Sequence, residues 1–357
     1  MALKLSSADA GCEEKLKSID DYVPHILLFF NSLKNQPSVR LDAEMIFEWL
    51  GSFSSDKKGH RFPDIIFEVI MTLHSKAIQH YCIGRHLLKS DHVQNISNAA
   101  RNFNAAAGVM DYIASTILPQ WITAAKRPPE ADIVVCQAMA DFFTAESQHM
   151  AVAREVLKGG PPSALTVKIC IAALRAADEG IDRLETVSRS ELCFYSDGPT
   201  FNRNFYAALV YYYSGELTRI KDNNVGIALS YFRESLDKIN DKFNGIKGNS
   251  KAFEAICSQS PTIKDGVLYL LHIIETSKAT ATRENEMIYF QPVPAGRDLP
   301  PLPTGILVMP KKMYSPVFNE SIIMLRFDGS RYTIPVGTRW TPTIAVVPSA
   351  PPSYFSP

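Results

Sequence analysis

Apolar residues recur at three- and four-residue steps through most of the stretch from residue 20 to 283, the period of helices with one buried face. The clearest stripe is Ala99, Phe103, Ala106, Ala107, Met110, Ile113, Ala114 and Ile117, and it stops before Pro119. A second helix is expected to start after Asp132 as N-cap and to end near Leu157, where Gly159-Gly160-Pro161-Pro162 supply a C-cap and a stop. Ser163 is placed to cap a third, which carries Leu165, Ile169, Ala172, Ala173 and Ala176 and fades near Val187. Further helices are expected from Thr200 to Ile220, Val225 to Lys242 and Thr262 to Arg283, the first two joined by a Lys221-Asp222-Asn223-Asn224 turn. Pairs of alanines on these faces allow close antiparallel packing. No fixed repeat length persists, so the pattern predicts a mostly α fold: an elongated set of helical hairpins, TPR-like in pairing but not a regular array.

The character of the chain changes after Arg283. Thirteen of its 23 prolines fall in the last 74 residues, a density that forbids helix but suits an extended strap across a preformed surface. The expected organisation is therefore an N-terminal extension (1–19), a helical domain (20–316) whose last part (284–316) is the strap, a small β-hairpin around Asp328-Gly329 (317–340), and a flexible proline-rich tail (341–357).

Composition narrows the function. With 357 residues and 46% hydrophobic types the chain can bury a substantial core. Lys and Arg number 37 against 37 Asp and Glu, so no bulk basic field is available to hold nucleic acid. Apolar runs such as Ile26 to Phe30 are far short of the roughly 20 residues of a membrane span, and the N-terminus lacks the apolar core of a signal peptide; a cytoplasmic protein is expected. The six cysteines are scattered without a Cys-x-x-Cys pair, which disfavours disulfide frameworks and zinc ribbons. His74, His80 and His86 with Cys82 form the one local set of metal-ligand types, but six-residue steps on a helix turn the imidazoles to different sides. Asp178 and Glu179 are adjacent and point apart, so they read as a solvated face. Phosphate-loop, dinucleotide, nucleophile-elbow and zincin motifs are missing. No catalytic residue, metal or cofactor is expected, and the chain reads as a scaffold.

Four stretches together resemble the Bro-one domain family, the Alix-type ESCRT-associated helical domains. They are Ser97 to Val109, rich in small residues around Phe103; Ala145-Glu146-Ser147-Gln148 followed by Ala153-Arg154; Asn224-Val225-Gly226-Ile227-Ala228; and Glu284-Asn285-Glu286-Met287-Ile288-Tyr289-Phe290-Gln291-Pro292-Val293-Pro294, with Leu299 and Leu307-Val308. The last is the most specific, since it is similar to the strap that closes the family's domain. The four occur in the family's order across residues 20 to 316.

The resemblance implies a non-catalytic adaptor of endosomal sorting. Family members bind the C-terminal amphipathic helix of an ESCRT-III subunit in a hydrophobic groove, which is helix-in-groove recognition driven by a few apolar anchors. With a one-residue shift in the Ser163 helix, Leu165 and Ile169 fall on that face, with Val152 opposite them. Without the shift the matched positions are Ala151, Ala164 and Lys168, a poor anchor set. The plain alternative for Leu165 and Ile169 is ordinary core. Tyr289 matches a family tyrosine that serves as a phosphorylation and SH2-docking position; its alternative role is a buried strap aromatic.

The tail adds two short motifs. Pro348-Ser349-Ala350-Pro351 matches the late-domain motif that docks on the ubiquitin-variant domain of ESCRT-I, and Pro351-Pro352-Ser353-Tyr354 matches the WW-domain ligand of ubiquitin ligases. Proline-rich segments are extended before binding, so little entropy is lost on docking. The motifs share Pro351, so the two partners are expected to compete. The C-terminus lacks a Cys-a-a-X prenylation signal, and membrane attachment is expected to be indirect or electrostatic. Two other readings stay open: a signalling scaffold linked to small GTPases without ESCRT-III binding, and an all-helical enzyme whose pocket carries no sequence motif.

Overall fold

Helices begin and end where the capping residues place them. The computed structural model describes residues 11–35, 46–51, 59–89, 92–123, 125–187, 198–240, 261–303, 313–316, 326–327 and 332–333. Among the described residues are eight α-helices: α1 (Gly11–Lys34), α2 (Ile65–Leu87), α3 (Val93–Tyr112), α4 (Ile133–Leu157), α5 (Ala164–Glu185), α6 (Gly198–Lys221), α7 (Val225–Asn240) and α8 (Pro261–Glu284). The Asp132 carboxylate accepts from the Val134 and Val135 amides at 2.8 and 3.2 Å, the N-cap expected from the sequence. Ser163 and Thr166 close a reciprocal capping box on α5. Gly159 takes a φ of 73° just past the end of α4, the left-handed conformation that glycine adopts without strain.

Each helix packs chiefly on its neighbours in sequence, from α1 on α2 through to α7 on α8, the arrangement of a helical-hairpin stack. Two cores result. The first, from α1 to α4, is built on Leu27, Phe67, Ile70, Leu73, Met110, Ile113 and Ile117. The second, from the end of α4 to α8, is built on Val167, Cys170, Tyr206, Leu209, Phe232 and Ile274. Close approach depends on small residues: a Cβ at Gly84 would lie 2.5 Å from the Phe103 ring.

Two boundaries differ from the sequence expectation. Among the described residues α1 already covers Gly11 to Ile19, which were expected to lie in an N-terminal extension, and Cys12 is buried there. The stretch between α1 and α2, read as helical, contains an antiparallel pair instead, β1 (Phe47–Leu50) with β2 (Gly59–Phe62). Its anchor is Trp49, whose indole N–H donates to Glu68 at 2.6 Å, while the Tyr22 hydroxyl donates to the same carboxylate at 3.1 Å. Near the C-terminus β3 (Arg326–Phe327) pairs antiparallel with β4 (Tyr332–Thr333), and the Asp328-Gly329 turn read from the sequence lies outside the described residues.

The segment after α8 runs along α7. A one-turn π-helix (Asn285–Tyr289) ends in Phe290 at φ 50°. Gln291 then accepts from the Gly226 amide and donates to the Asn223 carbonyl, both at 3.0 Å. Ser230 donates to the Pro294 carbonyl, and the Tyr231 hydroxyl to that of Pro300 at 3.2 Å. Residues 313–316 lie against the first core instead: Tyr314 meets the Tyr112 ring at 5.3 Å and stacks under the Lys76 ammonium at 4.9 Å. The extended segment therefore touches both cores.

Candidate functional site

The α4–α5 hairpin carries the residues expected to dock a partner helix. The Ser163 cap fixes where α5 starts. From there Val167, Ile169, Cys170, Ala173, Ala176 and Ala177 turn inward, while Ala164, Leu165, Arg175 and Glu179 face out and Lys168 is half-buried. The structure thus separates the three expected anchors. Leu165 is 42% exposed, whereas Ile169 and Val152 are 6% and 3% exposed and belong to the second core.

That is a correction to the expectation of an open Val152–Leu165–Ile169 face, and its cause is geometric. Leu165 and Ile169 share one stripe, but Leu165 stands exposed in a first turn whose Thr166 and Val167 are already buried, and one turn on Ile169 is covered as well. The outward positions Ala164 and Lys168 are those of the unshifted register. What the tip does expose is Val156 and Leu157 at the end of α4, at 41% and 47%, together with Leu165. Arg154, Lys158 and the half-buried Lys168 are the cations at this end.

Behind the tip lies a buried polar cluster. His149 sits edge-on to the Phe205 and Tyr206 rings at 5.4 and 5.5 Å. Burial, reinforced by the Arg85 guanidinium, lowers its imidazole to about 4. Burial also raises the Glu146 carboxyl, partly offset by Arg85. In the first core His74 is lowered to about 4 by burial, opposed by Glu130. The Cys136 and Cys170 thiols are pushed well up by burial, the reverse of the shift that makes a thiolate nucleophile. His149, Val152, Cys170, Ala173, Tyr206 and Leu209 line a tightly packed crevice with no room for a water molecule. A shallow depression of about 460 Å³ on α8 is lined by alternating charges, Glu275, Lys278, Arg283 and Glu286, a solvated helix face. Among the described residues no group of three His, Cys, Asp or Glu side chains is placed to hold a metal. His80 instead pairs with the Asn102 side chain at 3.0 Å. No described helix is long and apolar enough to cross a membrane.

Tyr289 stands at the junction of α8 and the strap, 39% exposed, beside Met287, Ile288 and Phe290 at 71, 66 and 75%. Sequence reasoning singled out the tyrosine and passed over its neighbours. No local signal marked them: the left-handed position that turns this short apolar run outward is held by a phenylalanine, which does not advertise it. The tail motifs, Pro348 to Tyr354, lie outside the described residues.

The architecture defines a mostly helical hairpin stack closed by an extended segment. The model of the BRO1-like domain matches residues 9–324, and the chain belongs to that family. It is 23% identical over 297 residues to BRO1 domain-containing protein BROX of Pongo abelii, covering 80% of this chain and 70% of that protein. Two solved structures share the fold. One is a complex of the ALIX BRO1 domain with CHMP4C, with a TM-score of 0.65 at 15% identity, covering 86% of this chain and 81% of that one. The other describes endosomal targeting by the Bro1 domain, with a TM-score of 0.57 at 18% identity, covering 82% and 74%.

Proposed function

We propose that this protein is a non-catalytic adaptor of the ESCRT pathway, cytoplasmic and recruited to endosomal membranes, that docks the C-terminal amphipathic helix of an ESCRT-III subunit at the tip of the α4–α5 hairpin. Membership of the BRO1-like family supports the pathway, and the partner of the ALIX neighbour supports the ligand class. The observation that carries the site is Leu165, 42% exposed at the head of α5, with Val156 and Leu157 exposed at the same end. Arg154 and Lys158, which share the Glu155 carboxylate at 3.6 and 2.7 Å, and Lys168 leave a net positive charge there that suits a helix whose polar face is acidic. Val152 and Ile169 serve beneath as support that holds Leu165 in place.

Leu165→Asp tests this cleanly because the side chain is exposed. Titration with a labelled ESCRT-III C-terminal helix should give binding that weakens at least about tenfold, or ~1.4 kcal/mol, in the variant, with melting unchanged. Equal binding would reject the tip as the site.

A second reading is a Bro-one-like scaffold without ESCRT-III binding, and the burial of Ile169 and Val152 favours it. Absence of any binding by the wild type would select it. The tail motifs extend either reading. Pro348, Ser349, Ala350 and Pro351 would engage the ubiquitin-variant domain of ESCRT-I, and Pro351, Pro352 and Tyr354 a WW-domain ligase. Single motifs of this size bind in roughly the micromolar to millimolar range, so recruitment relies on avidity. Because Pro351 belongs to both, each domain should displace the other from one tail peptide.

A further inference from the structure

From Glu286 to Phe290 five consecutive residues are exposed, and four of them are large and apolar. Five residues span more than a full turn of any helix. Exposure on every side therefore means that this turn stands clear of the body as a convex knuckle. Its base is rigid. The Asn285 carboxamide, itself buried, donates to the Gln291 carbonyl and accepts from the Gln291 amide, both at 2.9 Å, and the Phe290 amide returns to the Asn285 carbonyl at 2.7 Å. Gln291 is held in turn by Gly226 and Asn223, so the knuckle projects beside the end of α6, where Ile220 is 46% exposed.

Contiguous exposed apolar surface of this kind marks an interaction site. A convex turn offers no groove for a peptide helix, so its occupant must supply the depth. The exposed charges of the rim balance, Arg283 and Lys221 against Glu286 and Asp222; such a rim neither attracts an acidic surface nor repels a net-neutral one. Methionine, isoleucine, tyrosine and phenylalanine are the types that enter the boundary between headgroups and acyl chains.

We propose that the Met287–Phe290 knuckle is a membrane-docking element that inserts shallowly into a net-neutral phospholipid surface. It does not depend on the ESCRT-III reading, since it requires no partner protein. Attachment through it is direct and non-electrostatic, in contrast to the indirect or charge-driven attachment that the sequence suggested.

The test is flotation of the full-length protein with small, highly curved phosphatidylcholine vesicles and with vesicles containing phosphatidylserine. Wild type should float with both. I288S/F290N should lose at least about tenfold in bound fraction on both, since insertion scales with buried apolar area, while its melting stays unchanged. F290W should show a blue-shifted difference spectrum that brominated lipid quenches. No flotation with phosphatidylcholine, flotation on phosphatidylserine alone, or equal flotation of I288S/F290N would each overturn the proposal. So would unchanged vesicle binding by the double variant with loss of a captured protein, which would assign the knuckle to a protein groove.

Discussion

The tip of the α4–α5 hairpin and the turn after α8 present apolar residues in opposite ways. At the tip, a stripe expected to face a partner turns inward after one residue: Leu165 is exposed and Ile169, one turn on, is core. After α8, a run with no helical period is exposed on all sides because the chain must reverse there through Phe290 at φ 50°. Helix phase decides which apolar residues a neighbouring helix covers, and chain reversal decides which ones nothing covers. An apolar stripe is thus weak evidence for a docking face, whereas apolar side chains at a rigid reversal are strong evidence.

The largest effect expected from this contrast is at Ile169. Ile169→Asp places a carboxylate in the second core and should destabilise the domain by about 4 kcal/mol, while Leu165→Asp should change stability by no more than about 0.5 kcal/mol. Urea denaturation of the two variants separates them. Equal, small effects would mean that Ile169 is as accessible as Leu165 and would restore the open face.

The attachment of the strap comes next. A Cβ at Gly226 would lie 2.2 Å from the Pro292 carbonyl oxygen and 3.1 Å from the Gln291 side chain. Backbone cannot yield as a flexible side chain can, so Gly226→Ala should lose roughly 3 kcal/mol and open residues 291–303 to limited proteolysis. It should also release the base of the knuckle, so a stable G226A protein with a protected strap would contradict the clamp described here.

Much of this was legible in the sequence, and the failures have physical causes. The ends of α4 and the start of α5 were readable from Asp132, Gly159, Pro161-Pro162 and Ser163, because caps are local chemistry. Gly226 was read only as part of a matching stretch; its close approach to the Pro292 carbonyl was not seen. The β1–β2 pair was not seen, since its four-residue strands carry only Phe47, Trp49 and Phe62 as apolar anchors and depend on Glu68, which is distant in sequence. The phase of α5 was not readable to one residue, because the cap fixes where the helix starts but the packing of α4 and α6 fixes which stripe is covered. The exposure of Met287 to Phe290 depends on a left-handed residue that a phenylalanine does not advertise.

His74, buried among α1 to α4, and His149, half-buried beside the second core, allow the two parts of the molecule to be compared by pH. His74 and His149 are both lowered to about 4 by burial, below the ordinary imidazole value of about 6.5. Between those limits the unfolded chain binds more protons than the folded one, so stability is full above about 6.5 and falls as the pH drops toward 4. At pH 5 each histidine should account for about 2 kcal/mol of the loss. Chemical denaturation at pH 7 and pH 5, with His74→Gln and His149→Gln measured separately, assigns the loss to one core or the other; pH-independent stability in that window would refute the neutral state of both.

The smallest expected effect sharpens the contrast most. Phe290 is 75% exposed and left-handed, a backbone state that asparagine adopts more readily than phenylalanine. Phe290→Asn should therefore leave stability unchanged or raise it by a few tenths of a kcal/mol, even though it removes a large aromatic ring. A phenylalanine that packed on the body would behave like a core residue and lose about 3 kcal/mol or more. Thermal melting of F290N beside I288S decides between these outcomes, because a knuckle that contributes nothing to folding keeps its apolar side chains free for an external surface.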